Sequence, residues 1–253
     1  MTVPFEGRVA LVTGAGRGIG RAVAIELAAS GAQVALLARS LGQLHEVAKA
    51  VRAKGGIAVV LQADLADPEA VADAATRAEK ELGTVDILVN NAAVVQPVGP
   101  TVTASPTAWT SAFAVNVDAP FHLTHAVLPA MLNRGWGRIV NVSSGIVDHP
   151  GAMVGMNAYA ATKAALEAHT LNLAAELGGS GVTVNVYRPG SVDTAMQEWI
   201  RSQPPDEIGP ALHQHFEASY EQGSLITPEH SARSLVAQLV GDTTGQIWTV
   251  TDA

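Results

Sequence analysis

The run Tyr159-Ala160-Ala161-Thr162-Lys163 sets a phenol and an ammonium four residues apart, which in a helix puts both on one face, one turn from each other. Such a pair can pass a proton. A free tyrosine titrates near ~10, so exchange near neutrality asks for a shift of about three units, roughly 4 kcal/mol of differential stabilisation. A cation one turn away has the right sign to hold a phenolate. The spacing occurs by chance in many helices and gains weight only from its surroundings. Upstream, Asn141-Val142-Ser143-Ser144 closes an apolar run and offers hydroxyls that can donate to an oxygen on which charge develops. The chain has no cysteine, which removes thiolate nucleophiles, Cys-ligated zinc and iron–sulfur clusters. Its 8 histidines include no H-E-x-x-H. His122 and His125, and His213 and His215 about Gln214, read as helix-face or surface residues, and no metal is expected.

A second feature lies near the start, in Thr13-Gly14-Ala15-Gly16-Arg17-Gly18-Ile19-Gly20. The spacing of Gly14, Gly18 and Gly20 departs from G-x-G-x-x-G, but the physics is the same. Glycines permit positive φ and close backbone approach, and the N–H groups and positive end of a following helix favour a pyrophosphate. In a dinucleotide site that prefers NAD, a carboxylate some twenty residues further on accepts from the ribose 2′-hydroxyl. Here the matching stretch is Leu37-Ala38-Arg39-Ser40, with no carboxylate before Glu46. Arg39 and Arg17 could instead hold a 2′-phosphate, each contact worth roughly 1.5–3 kcal/mol where shielded from water. Two such contacts favour NADP over NAD by roughly a hundredfold or more, so NADP(H) is the expected cofactor.

These residues must be carried by a scaffold. Short apolar runs at 8–12, 33–38, 57–62, 87–90, 138–142, 183–187 and 246–250 read as strands. Between them, 18–30, 41–54, 68–82, 106–134, 157–178 and 228–240 have helical period. This alternation predicts an α/β fold, one Rossmann domain over 1–253 with a doubly wound, seven-stranded parallel sheet and helices on both faces. Ligands of such sheets sit beyond the carboxyl ends of the strands, where both features fall. The stretch from Asp193 to Thr227, with Pro204-Pro205, Gly209-Pro210 and Gly223, breaks the rhythm and reads as an irregular substrate-loop insertion at about 195–227.

Composition agrees. The 253 residues are 48% apolar and 15% charged, enough to bury a core without disulfide or metal. Fifteen Lys and Arg against 23 Asp and Glu give a net charge of −8, the wrong sign for a nucleic-acid partner. No run is long enough for a membrane span and the start has no signal-peptide pattern, so a cytoplasmic protein is expected.

Further motifs follow in order: Asp64-Leu65 after the third strand, Asn90-Asn91-Ala92-Ala93 after the fourth, Asn116 in a long helix, and Asn185 to Thr194, ending Pro189-Gly190-Ser191-Val192-Asp193-Thr194. With the glycine turn, Ser143-Ser144 and Tyr159/Lys163, the chain resembles the short-chain dehydrogenase/reductase family over essentially its whole length. The resemblance implies a catalytic set of Asn116, Ser144, Tyr159 and Lys163. Tyr159 exchanges the proton, Lys163 also bonds the nicotinamide ribose, Ser144 donates to the carbonyl oxygen, and Asn116 holds a water linking Lys163 to solvent. It implies cofactor binding by Gly14, Arg17, Gly18, Ile19, Gly20 and Arg39, by Asp64 and Leu65 against the adenine, and by Asn91 and Ala92 near the adenosine ribose and pyrophosphate. Tyr159, Lys163, Pro189 and Gly190 join them, with Val192 and Thr194 against the carboxamide. Two departures stand out. Ala93 replaces the usual glycine and is tolerable only at negative φ. The Ser144–Tyr159 separation exceeds the family's commonest spacing, which keeps Ser143 open as the active hydroxyl.

The function expected is reduction of a ketone or aldehyde by NADPH. The loops 94–100, 145–157 and 195–223 carry few cations, which points to a small neutral carbonyl or alcohol substrate. Residues 187–197 and 223–229 resemble the branch containing sepiapterin reductase and benzil reductase, which implies vicinal diketones. Alternatives are an alcohol dehydrogenase working oxidatively, a dinucleotide sensor without chemistry, and a scaffolding oligomer. The family also implies a homodimer or homotetramer built on the long helices.

Overall fold

The computed structural model describes residues 3–251. Seven strands, β1 (Val9–Thr13), β2 (Gln33–Ala38), β3 (Ala58–Gln62), β4 (Ile87–Asn90), β5 (Gly137–Val142), β6 (Val182–Arg188) and β7 (Ile247–Thr249), form one sheet in the order β3-β2-β1-β4-β5-β6-β7. All pairings are parallel, and β1 lies between its two neighbours in register, Val12 opposite Leu36 on one side and Val89 on the other. Strand order reverses between β1 and β4, and the splayed connections there open the crevice that this class of sheet uses for ligands.

Alternation along the strands decides the two faces. Ala10, Val12, Val34 and Leu36 pack with α1 (Gly18–Ala29), α2 (Leu41–Arg52) and α10 (Pro228–Leu239). Val9, Leu11, Ala35 and Leu37 pack on the other face with α3 (Pro68–Leu82), α5 (Ala119–Arg134) and α6 (Asn157–Glu176). Helix starts follow the sequence signals. Asp67, before Pro68, accepts from the N–H groups of Glu69 and Ala70, and Thr227, before Pro228, accepts from that of His230, which satisfies donors the helix leaves free.

Two expectations are corrected. The helix read over 106–134 is broken into α4 (Pro106–Phe113), a π turn at Ala114–Asp118 and α5. Pro120 stands four residues after Asn116 and has no N–H, so the α-type bond to the Asn116 carbonyl cannot form and the ladder shifts there. The insertion read as irregular is instead three helices, α7 (Ala195–Arg201), α8 (Pro205–Ile208) and α9 (Pro210–Glu221). Its prolines begin helices rather than break them. Ile200, Ile208, Leu212 and Phe216 pack as a third core on Val95, Ile146 and Met156. Among the described residues no helix is long and apolar enough to cross a membrane.

The end of the sheet away from the crevice is held by charge. Asp86 is 4% exposed and accepts from the backbone N–H of Val9 at 2.9 Å, Arg8 at 3.1 Å and Arg134 at 2.9 Å. Arg8 and Arg138 both lie over Trp136, with guanidinium carbons 3.8 and 4.5 Å from its ring centroid. Removing the shared carboxylate leaves one N–H and two half-exposed cations without their partner. Asp86→Ala should therefore lower stability by about 2–3 kcal/mol, read as a lower urea midpoint at unchanged slope. A loss under about 0.5 kcal/mol would show that water replaces the carboxylate.

Candidate active site

One cavity of about 680 Å³ runs along the carboxyl edge of the sheet, across the β1/β4 switch point. Its wall at β1 is the glycine turn. Gly14 has φ +64°, and a Cβ there would stand 2.8 Å from Asn91 Nδ2 and 3.0 Å from Ala92 Cα. Gly20 is buried behind the wall, where a Cβ would collide with the Gly14 carbonyl and Asn91. The turn is thus closed against the β4 loop, and Thr13 locks the two together. Its Oγ1 accepts from the N–H groups of Asn91 and Ala92 at 2.9 and 3.0 Å, and its carbonyl accepts from Asn91 Nδ2 at 3.0 Å. Ala93 is free of strain, since no described non-glycine residue has positive φ.

At the β2/β3 end the wall is formed by Arg39, Ser40, Asp64 and Leu65, with Gln43 reaching back over Gly16. Arg17 and Arg39 both line it, are exposed, and make no ion pair among the described residues. The missing carboxylate and two free guanidiniums are the arrangement read from the sequence. Ser40 and Gln43 were not read; their only signal is that they follow Arg39 into α2.

The far end is built by α6, β5 and β6. Tyr159 and Lys163 line the cavity together, the Lys163 Nζ 5.6 Å from the Tyr159 ring centroid. Lys163 is 2% exposed and donates to the Val142 carbonyl at 2.7 Å. Burial pushes the ammonium down to about 8, against the pull of the Glu167 carboxylate, which raises it. Burial pushes the Tyr159 phenol up to about 12, with the Ser144 hydroxyl beside it pulling the other way. The lowered phenol expected from the sequence is not found: desolvation outweighs the Ser144 hydrogen bond, and Tyr159 stays protonated.

Ser144, rather than Ser143, therefore neighbours the phenol; its Oγ also accepts from the Ile146 N–H at 3.3 Å. The longer Ser144–Tyr159 connection is taken up by two short 3₁₀ turns, Gly145–Val147 and Pro150–Ala152. Asn116 is fully buried in the π turn. Its Oδ1 accepts from the Val94 N–H at 2.8 Å, and its Nδ2 donates to the Val94 carbonyl at 2.9 Å and to Thr162 Oγ1 at 3.1 Å. The side chain thus ties α6 to the β4 loop and makes no bond to Lys163. The Asn116 main-chain carbonyl receives no α-type bond from Pro120, which has no N–H.

Pro189 and Thr194 line the cavity, and Thr194 Cγ2 lies 3.4 Å from where a Gly18 Cβ would be. Gly190 and Val192 do not line it. A Cβ on Gly190 would meet Val250, and Val192 is buried in a parallel bridge to Ile226. Sequence reading missed Glu167 and Arg188. Arg188, at the end of β6, donates to Glu167 at 2.9 and 2.8 Å and to Asp148 at 2.5 Å. One cation so joins α6, the turn into Pro189, and the loop after Ser144. The available signal was Glu167 four residues after Lys163, on the same helix face. Among the described residues no group of three or more His, Asp or Glu could hold a metal ion.

The comparisons bear on this geometry. A family model described as short chain dehydrogenase matches residues 8–205. A short chain dehydrogenase of Pseudocercospora fijiensis is 40% identical over 194 residues, 76% of this chain and 62% of that protein. A 2,3-dihydro-2,3-dihydroxybenzoate dehydrogenase of Bacillus subtilis is 38% identical over 239 residues, 94% of this chain and 90% of its own length. Among solved structures, L-sorbose reductase from Gluconobacter frateurii, complexed with NADPH and L-sorbose, superposes with a TM-score of 0.88 at 27% identity, over 100% of this chain and 98% of that one.

Proposed function

Because the chain belongs to the short chain dehydrogenase family, we propose that it is an NADP(H)-dependent oxidoreductase that reduces a small neutral ketone or aldehyde to its alcohol. One observation carries this reading: a single cavity has two unpaired arginines at one end and the Tyr159/Lys163 pair at the other. The cavity fits the cofactor in its chemistry. Glycines without room for a Cβ let the backbone approach a pyrophosphate, and the free guanidiniums suit a 2′-phosphate.

When bound, the dinucleotide supplies the hydride. The chain's own residues do the rest. Arg17 and Arg39 hold the 2′-phosphate, Asp64 and Leu65 flank the adenine, and Asn91, Ala92 and the glycine turn align the pyrophosphate. Lys163 orients the nicotinamide ribose and supplies positive charge beside Tyr159. Ser144 donates to the substrate carbonyl oxygen, where negative charge grows. Tyr159 Oη gives its proton to that oxygen, and a phenol held near 12 is fully protonated at neutral pH for the purpose. The raised value makes the phenol a weaker acid than free tyrosine, so proton exchange in either direction needs positive charge in the cavity to bring it back toward neutrality.

The helices α7–α9 form the substrate lid. The three loops expected to read the substrate converge there: Gly99 N–H donates to the Gly155 carbonyl at 2.8 Å, and the Glu207 carbonyl sits 2.5 Å from where a Gly99 Cβ would be. With Met153, Met196 and Trp199 packed against the lid core, the site favours an uncharged, partly apolar carbonyl compound. A vicinal diketone remains within this class, although the relatives above carry names other than sepiapterin or benzil reductase. The Bacillus dehydrogenase favours a second reading, oxidation of an alcohol in the same site. We also propose a homo-oligomer, since Phe121 and Leu132 on α5 and Leu171 on α6 are exposed.

Titration of the purified protein with NADPH and NADH, followed by nucleotide fluorescence, tests the cofactor half of the proposal. NADPH should bind at least about tenfold more tightly; equal affinity would remove the role given to the arginines.

A further inference from the structure

Ser143 is 2% exposed, yet its Oγ has no hydrogen-bond partner among the described residues. Its backbone is held by the N–H, which donates to the Tyr187 carbonyl at 2.7 Å. It forms part of the cavity wall with Val142, Tyr159, Lys163 and Pro189. Among its buried neighbours Asn90 Oδ1 also lacks a partner, whereas the polar groups of Asn141 and Lys163 are satisfied. Asn141 Nδ2 donates to Thr170 Oγ1 at 2.8 Å, Asn141 Oδ1 accepts from Asn90 at 2.8 Å, and Lys163 Nζ is taken by the Val142 carbonyl. Ser144, one residue on, has Ile146 and Tyr159 beside it. An unpartnered hydroxyl on a residue of the cavity wall, itself almost closed off from water, is a candidate partner for a ligand seated against that wall.

Its position decides which ligand. Ser143 directly follows β5 and belongs to the cavity floor at the sheet edge. The lid core, by contrast, packs on Ile146, Val147 and Met153 further along the same loop. The floor beside Lys163 is the end assigned above to the nicotinamide, whereas Ser144 stands beside the phenol.

We propose that the Ser143 hydroxyl hydrogen-bonds the nicotinamide end of the bound dinucleotide, so that the two adjacent serines divide the work: Ser144 on the substrate, Ser143 on the cofactor. The inference rests on the cofactor reading above, and its test separates the two. For wild type and Ser143→Ala, thermal midpoints are measured without ligand, and dissociation constants are measured for NADPH, NADP⁺ and adenosine 2′,5′-bisphosphate, which lacks the nicotinamide.

The expected result has three parts. The unliganded variant melts at the wild-type temperature or above, because an unpartnered buried hydroxyl has been removed. Its dissociation constants for NADPH and NADP⁺ rise about three- to tenfold. Its affinity for the bisphosphate is unchanged. Unchanged NADPH binding in the variant, with normal binding by wild type, overturns the role of Ser143 and leaves the cofactor reading standing. A variant that melts lower, or that loses the bisphosphate as much as NADPH, shows a merely structural hydroxyl and also overturns it. Failure of wild type to bind NADPH at all overturns the cofactor reading itself.

Discussion

Tyr159→Phe should lower turnover about a thousandfold while leaving the dissociation constant for NADPH within about twofold of wild type. The substitution removes one oxygen and keeps the ring that fills its place beside Lys163, so the cavity keeps its shape. Lys163 retains its bond to the Val142 carbonyl at 2.7 Å, and binding groups at the far end are untouched. What is lost is the phenol hydroxyl, the group assigned to give its proton to the carbonyl oxygen. Ser144 cannot take over, because a serine hydroxyl placed to donate a hydrogen bond is too weak an acid to give up its proton at neutral pH. Steady-state rates beside NADPH titrations check this; a variant retaining more than about a tenth of the wild-type rate would show that another group supplies the proton.

The second large effect is on cofactor choice. Arg39→Ala should raise the Michaelis constant for NADPH by roughly tenfold or more and leave that for NADH nearly unchanged, since a charge-assisted contact to a 2′-phosphate is worth about 1.5–3 kcal/mol only when that phosphate is present. Arg39 is exposed, so solvent screening puts the effect at the low end of that range and makes it shrink as salt rises. Arg17 stands on the glycine turn across the same cavity end, and its loss should act in the same sense. An equal rise for both nucleotides would mean that Arg39 supports the fold of the turn rather than reading the phosphate.

The parts of this account that were legible in the sequence share a property: they depend on local pattern. Strands β2 and β4 and helix α3 fall where the sequence reading places them, because apolar runs bounded by Gly, Pro and Asp carry their own boundaries. The glycine turn, Arg39 and the Tyr159/Lys163 pair come together in one cavity because the parallel order brings the carboxyl ends of consecutive strands to one edge. What was illegible depends on partners far apart in the chain. The Arg188–Glu167–Asp148 network spans three elements, and nothing local marks Arg188 as a hub. The orphaned state of the Ser143 hydroxyl shows only once distant elements have packed around it. The π turn could have been read from Pro120, but its use as the seat of Asn116 could not. The lid was misread because Pro205 and Pro210 were weighed as breakers, although Ile208, Leu212 and Phe216 already repeat at helical spacing.

The acidic total also changes meaning. A net charge of −8 is unfavourable on average for an anionic cofactor, yet Arg17 and Arg39 stand together at one end of the cavity, and local potential rather than net charge governs such binding.

The most direct test of the central claim is turnover by the wild-type protein, followed by loss of reduced-nucleotide absorbance with identification of the product. The panel holds neutral ketones, vicinal diketones, quinones and aldehydes, with secondary alcohols for the reverse direction. The account predicts consumption of NADPH matched one for one by alcohol formed from at least one neutral carbonyl class, with NADH roughly tenfold or more poorer. Tight NADPH binding with no turnover of any carbonyl or alcohol would contradict it and identify a protein that binds the dinucleotide without using it.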